Sequence, residues 1–442
     1  MFERIRQARR SARERADLGA LIDDCRQLLT ERGESNSLVI AARALERYRG
    51  LGDAAAAQLF EVLAADFDPD PDEVLRLAER YAASRAPEHL IELMTAAEPP
   101  RQELLRRLNR APGGTAALVA MRAQLLQRLR QQPALKALDA DMQHLLSSWF
   151  NPGFLTLRQV DWNSPAQLLE KIIQHEAVHE IDGWSDLRRR LEPDRRCFAF
   201  FHPMLPDEPL IFVEVALLEA MPDAIAPLLD RRSEPERRED RFKVAAFYSI
   251  SNCQPGLRGV NLGNFLIKRV AENLQQSLPK LKTFCTLSPI PSFAGWYARV
   301  EQIESPRLKP AAQRELNAGL QRLRERYGRD PSALVLPPDD GAPARSRAAA
   351  GDLQMLQRLC AFYLTDTSPT EQRPSDPVAR FHLNNGARLE RINASADLSR
   401  NGLRQSFGQM VNYLYDLDEI ESNHDRFVND QVSASKAVLA LL

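Results

Sequence analysis

Val244-Ala-Ala-Phe-Tyr-Ser-Ile-Ser251, then Gln254-Pro-Gly-Leu-Arg-Gly-Val-Asn-Leu-Gly-Asn264, then Phe265-Leu-Ile-Lys-Arg269 follow one another in the sequence, and their succession decides the fold class of the second half of the chain. The first run is apolar, aromatic and β-branched, and reads as a buried strand. The second carries Gly256, Gly259 and Gly263 and reads as a turn. The third opens a helix whose apolar side holds Phe265, Leu266, Val270 and Leu274. Lys280 then leads into another strand, over Leu281 to Leu287, that ends at Ser288-Pro289. A glycine-bearing turn that feeds a helix N-terminus presents backbone N–H groups with the helix dipole behind them. Such a turn suits a pyrophosphate.

Outward from this unit, short aromatic and β-branched runs recur at Cys197 to Phe201 and at Leu210 to Leu217, which predicts a mixed α/β domain. Asp339 to Ser346 reads as a surface loop within that domain. Before Asn151-Pro152-Gly153 the pattern is helical throughout. Asp70 is placed to cap a helix with Pro71 in its first position and Glu73 closing a capping box. Val74, Leu75, Ala78, Tyr81 and Ala82 follow at helical spacing. Thr115 is placed to cap a helix through Leu118, Met121, Leu125 and Leu129. No fixed repeat period appears. The predicted class is α+β multidomain. An all-α helical bundle over 1–152, suited to packing or oligomerisation, precedes a mixed α/β catalytic domain over 153–442.

The 442 residues carry a formal net charge of −1, which argues against a nucleic-acid binder held by phosphate neutralisation. No run approaches the roughly 18 apolar residues of a membrane-spanning helix, so no membrane partner is expected. Cys25, Cys197, Cys253, Cys285 and Cys360 are odd in number and form no C-x-x-C pair, which points to reduced structural thiols and the cytoplasm. The Arg-rich start, Met1 to Arg10, contains Glu3 and is followed by Glu14 and Asp17, against a mitochondrial transit peptide. No Ser-Lys-Leu peroxisomal signal is expected, since the sequence ends Leu441-Leu442.

His175-Glu176-Ala177-Val178-His179 matches the zinc-protease pattern H-E-x-x-H, on a helix expected over Gln167 to Val178. No third ligand follows at the usual spacing, and Glu180-Ile181-Asp182-Gly183 ends the helix at once. Surface histidines are expected here, and no metal site.

The turn is neither a Walker loop nor a Rossmann G-x-G-x-x-G. Arg258-Gly259-Val260-Asn261-Leu262-Gly263 resembles the acyl-CoA loop of GNAT-type acyltransferases, [QR]-x-x-G-x-[GA], with Asn261 in place of the first Gly. Three further segments lie beyond it: Thr286-Leu-Ser-Pro-Ile-Pro-Ser-Phe293, Phe381-His-Leu-Asn-Asn-Gly-Ala387 and Asn412-Tyr-Leu-Tyr415. Together with Gly256 to Arg269, and in that order, they resemble the malonyl-CoA decarboxylase family from about Phe154 to the C-terminus.

That resemblance implies a GNAT-like catalytic domain and no cofactor, with malonyl-CoA and acetyl-CoA as ligands and a homo-oligomer, dimer or tetramer. It assigns Ser288 as the active-site serine, His382 as the proton-donating histidine and Tyr415 as a supporting tyrosine. Arg258, Gly259, Val260, Asn261, Leu262, Gly263 and Asn264 become the substrate-binding loop. Asn261 stands where some members carry a glutamate, and is read as a binding residue only. The residue types suit the chemistry. Loss of CO2 from a malonyl thioester leaves an enolate, which backbone donors stabilise, each by roughly 3 kcal/mol in oxyanion holes. A histidine titrating near neutrality suits protonation of the enolate carbon. Ser288 is expected to orient the carboxylate or relay a proton. The alternatives are a GNAT-type acyl-CoA-dependent N-acyltransferase and a non-catalytic acyl-CoA-binding module.

Overall fold

The structure, a computed structural model, describes residues 2–30, 36–232, 234–260, 262, 266–336, 347–366 and 376–442. The expected loop at 339–346 lies outside them, as do Asn261, Gly263 and Asn264. The chain forms two compact units that interrupt one another in sequence: Met1–Thr156 with Phe201–Leu210 and Asn252–Leu262, and Leu157–Phe200 with Ile211–Ser251 and Gly263–Leu442.

The first unit is helical, with helices from Phe2–Leu28 to Lys136–Trp149. Leu21, Leu45, Phe60, Leu104, Leu125 and Leu138, each from a different helix, meet in one core. Asp70 caps the helix Pro71–Ser84 as expected, its carboxylate accepting the N–H groups of Asp72 and Glu73. Such a cap is worth about 1 kcal/mol. Glu73 does not close the box. Its carboxylate pairs with Arg76 one turn on, at 2.6 Å. Thr115 is not a cap either. The helix Gly114–Arg128 starts from Gly113 at φ 70, and the Thr115 hydroxyl donates to Asn109 Oδ1 at 2.8 Å.

The second unit is built on an eight-stranded sheet. Its strands are β1 (Thr156–Val160), β2 (Arg195–Phe201), β3 (Ile211–Leu218), β4 (Val244–Asn252), β5 (Thr283–Thr286), β6 (Ser288–Pro289), β7 (Arg388–Asn393) and β8 (Met410–Tyr415). Among the described residues the order is β1-β2-β3-β4-β5-β8-β6, with β7 also on β8. The runs read from sequence at 197, 210, 244 and 281 correspond to β2 to β5. β7 and β8 were not read as strands.

Three ladders position the site. β4 and β5 run parallel, Ala246 opposite Cys285 and Phe247 opposite Thr286, and the ladder ends there. β5 and β6 both run antiparallel to β8, with Phe284 opposite Tyr415 and Ser288 opposite Val411. They are one extended stretch broken at Leu287. Side chains fill the gap in the backbone ladder: Asn412 Nδ2 donates to the carbonyl of Thr286 at 2.8 Å, and the Tyr413 N–H donates to Thr286 Oγ1 at 3.1 Å. Because side chains alternate along a strand, Thr286 and Ser288 share the face that carries Tyr413 and Tyr415.

No described helix is long and apolar enough to cross a membrane.

Candidate active site

Ser288 reaches the site from the broken strand and His382 from the helix Pro377–Asn384. That helix starts by the rule of its sequence. Pro377 takes the first position, and the Asp376 carboxylate accepts the N–H groups of Val378 and Ala379, both at 3.0 Å. The second oxygen of Asp376 accepts the N–H of Ser292 at 3.0 Å, which ties the helix start to the residues that follow Ser288. The helix end is fixed by Gly386 at φ 77. A Cβ there would lie 2.1 Å from the Ile420 carbonyl oxygen, so the position admits only glycine.

The two ends bring Ser288, His382 and Tyr415 together. Ser288 Oγ lies 3.0 Å from His382 Nε2, and His382 Nδ1 lies 2.8 Å from the Tyr415 hydroxyl. The imidazole stacks on the Tyr413 ring with centroids 4.6 Å apart. The Ser288 hydroxyl donates to Thr286 Oγ1 at 2.9 Å. With the Ser288 proton committed to Thr286, the ring proton is assigned to Nε2, and Nδ1 accepts from Tyr415.

All four residues are buried: Ser288 is 5% exposed, His382 3%, Tyr415 1% and Thr286 0%. Burial pushes the His382 imidazole down to about 3 and Tyr415 well above its ordinary value. This corrects the expectation of a histidine titrating near neutrality. The Nδ1 partner is a neutral phenol rather than a carboxylate, so nothing offsets desolvation of the imidazolium. Thr286 lay inside the quoted motif without being singled out. Its spacing of two from Ser288 is the signal that places both hydroxyls on one strand face.

Of the loop residues, Arg258, Gly259, Val260 and Leu262 are described and belong to the helical unit. Pro255–Leu257 forms a single 3-10 turn that ends β4's extension, and Gly259 sits at φ 80. The helix that follows, Leu266–Ser277, buries Leu266, Ile267, Val270, Ala271 and Leu274; of the expected face, Leu266, Val270 and Leu274 are among them and Phe265 lies outside the described residues.

The H-E-x-x-H stretch does not lie on a helix. The helix Ala166–His175 stops at His175, and Glu176 leaves it at ψ 111. The Glu176 carboxylate instead accepts the N–H groups of Val178 and His179, both at 2.8 Å, and the Ser249 hydroxyl at 2.7 Å. It closes a turn onto β4. His179 is half-buried with an enclosed Nε2 rather than a free surface residue, and desolvation pushes it down to about 4. Among the described residues no group of His, Cys, Asp or Glu is arranged to hold a metal ion.

Two family models match the chain: the malonyl-CoA decarboxylase C-terminal domain over residues 153–442 and the N-terminal domain of the same family over residues 67–150. A crystal structure of malonyl-CoA decarboxylase from Rhodopseudomonas palustris superposes with a TM-score of 0.82 at 46% identity, covering 95% of this chain and 98% of that one. The enzyme from Agrobacterium vitis gives a TM-score of 0.80 at 46% identity, covering 95% and 99%. Mitochondrial malonyl-CoA decarboxylase of Rattus norvegicus is 36% identical over 416 residues, which is 89% of this chain and 83% of the rat protein. The chain belongs to the malonyl-CoA decarboxylase family.

Proposed function

We propose that this chain removes CO2 from malonyl-CoA to leave acetyl-CoA, with Ser288 and His382 as the catalytic pair and Tyr415 in support. The observation that carries this reading is the buried contact of 3.0 Å between Ser288 Oγ and His382 Nε2, which has no carboxylate behind it. A Ser-His pair that attacked an acyl group would use a carboxylate to stabilise the imidazolium. A pair that delivers one proton to carbon does not need it.

The steps balance as follows. The C–C bond to the carboxylate breaks, its electron pair passes into the thioester as an enolate, and CO2 leaves. The enolate carbon then takes one proton, so each turnover consumes one. In the free protein His382 is neutral. The malonyl carboxylate brings a negative charge into a site of low dielectric, which favours the imidazolium. His382 is thereby charged as substrate enters, and Nε2 gives its proton to the enolate carbon directly or through the Ser288 hydroxyl. Tyr415 turns to accept from Nδ1–H while the ring is charged.

Arg258, Gly259, Val260, Asn261, Leu262, Gly263 and Asn264 are the loop assigned to the CoA pyrophosphate, with Asn261 binding only. The division into 1–152 and 153–442, oligomeric and catalytic, belongs to the same reading. A homo-oligomer, dimer or tetramer, is supported by the hairpin of helices Pro71–Ser84 and Pro87–Ala97, where Leu75, Ile91 and Met94 are 60%, 63% and 64% exposed. Five buried, unbridged cysteines fit a reducing compartment such as the cytoplasm.

The test is turnover of malonyl-CoA by the purified chain, following acetyl-CoA and CO2, beside His382→Asn and Ser288→Ala. Turnover lost in both folded variants supports the pair. Turnover that survives His382→Asn overturns it.

A further inference from the structure

Arg122 is a charged residue only 1% exposed, and its hydrogen bonds leave its own helix. From the helix Gly114–Arg128, Nη1 donates to the carbonyl oxygens of Gly256 at 2.8 Å and Arg258 at 2.9 Å. Its Nε donates to Asp139 Oδ1 at 2.8 Å, so the buried charge is balanced. Gln143, on the helix Lys136–Trp149, donates Nε2–H to the carbonyl of Gly259 at 2.8 Å. Gly256 lies so close to the first helix that a Cβ would be 1.9 Å from the Val119 carbonyl oxygen.

The turn 256–259 is therefore seated on two helices of the same compact unit, and three of its carbonyls face them. A trans peptide holds its N–H opposite its C=O. Turning the Arg258 carbonyl toward Arg122 thus turns the Gly259 N–H away from the helices. Nε and Nη1 are committed to Asp139 and to the two carbonyls, and the residue is buried, so its bonds hold backbone rather than a ligand. One nitrogen, Nη1, carries both carbonyl bonds through its two hydrogens while Nε holds Asp139, so the rigid guanidinium spans the carbonyls and the carboxylate together.

We infer that Arg122 and Gln143 are positioning residues that clamp the backbone of 256–259 in the conformation that receives the CoA phosphates. This rests on the acyl-CoA-loop reading given above. It gives the helical unit a part in substrate binding that its sequence did not suggest.

The experiment uses the full chain with Arg122→Lys, which keeps the charge but gathers its donors on one nitrogen that does not span Asp139 and the carbonyls together, and Gln143→Leu at a half-buried position. CoA affinity by titration calorimetry, malonyl-CoA kinetics, and hydrogen exchange in peptides spanning 252–262 with and without CoA are measured together. In the wild type CoA is expected to slow exchange there. Arg122→Lys is expected to raise Kd for CoA and KM about tenfold, and Gln143→Leu about threefold, with kcat within about twofold. Folded variants with wild-type Kd and KM, while CoA still protects the loop, overturn the clamp. Should Arg122→Lys not fold, Gln143→Leu decides by the same readouts. CoA that leaves wild-type exchange unchanged over 252–262 overturns the loop reading and the clamp with it.

Discussion

Tyr413 donates its backbone N–H to the side-chain oxygen of Thr286 at 3.1 Å, where a regular ladder would supply a carbonyl. The same oxygen accepts the Ser288 hydroxyl at 2.9 Å. One threonine thus repairs the break between β5 and β6 and aims the serine. Thr286→Val keeps the shape and deletes the acceptor, leaving a buried N–H and the Ser288 hydroxyl without it. A loss of about 1–3 kcal/mol in urea unfolding is expected, with malonyl-CoA turnover down roughly tenfold or more. Thr286→Ser restores most of both. Wild-type turnover in Thr286→Val would mean that Ser288 needs no such orientation.

Tyr415 acts on the ring from the other side, 2.8 Å from Nδ1. Tyr415→Phe leaves that nitrogen without its partner, and the tautomer with the proton on Nε2 loses its advantage. kcat is expected to fall about tenfold with KM within about twofold, because the hydroxyl faces the histidine rather than bound substrate. An increase confined to KM would place Tyr415 against the substrate instead.

The depressed His382 value has a consequence for acid stability. Its folded value is about 3, against about 6.5 in an unfolded chain. Above the unfolded value both states are neutral and the contribution to stability is complete. As pH falls from about 6.5 toward 3, the unfolded chain binds a proton that the folded chain does not, and stability is lost at about 1.4 kcal/mol per pH unit. His179 shifts in the same direction, to about 4. Urea unfolding of the wild type and His382→Asn at about pH 7.5 and about pH 5 isolates the His382 share. The wild type is expected to lose about 2 kcal/mol relative to the variant. An unchanged difference would mean that His382 protonates in the fold as readily as in solution.

How far these features were legible depended on their range. β2 to β5 announced themselves through aromatic and β-branched runs, and Asp376-Pro377 carries the local signature of a helix start. β7, Arg388-Leu-Glu-Arg-Ile-Asn393, gives a weak strand signal, since Arg388, Glu390 and Arg391 interrupt its apolar residues. Of β8, only Asn412 to Tyr415 stands out in the sequence, as a motif rather than as a strand. Ser288 and His382 were found through the order of motifs, since they are distant in sequence and meet only in the fold. The low value of His382 was not legible at all, because burial is a property of packing. Nor was the hold of Arg122 and Gln143 on 256–259, since nothing in a helix pattern marks which polar residue reaches across to a distant turn.

Glu176 gives the sharpest separation between pattern and fold. As the base of an H-E-x-x-H site it would be a chemical residue, but its carboxylate accepts from Val178 and His179 at 2.8 Å and from Ser249 at 2.7 Å. Glu176→Gln keeps the volume and replaces one acceptor oxygen with a donor that faces donors. The buried turn then loses at least one charge-assisted bond, and stability is expected to fall by about 1–3 kcal/mol. Turnover at a temperature well below unfolding should stay within about threefold of wild type, since Glu176 touches neither Ser288 nor His382. Loss of turnover by several orders of magnitude, with the unfolding midpoint unmoved, would instead return Glu176 to the chemistry.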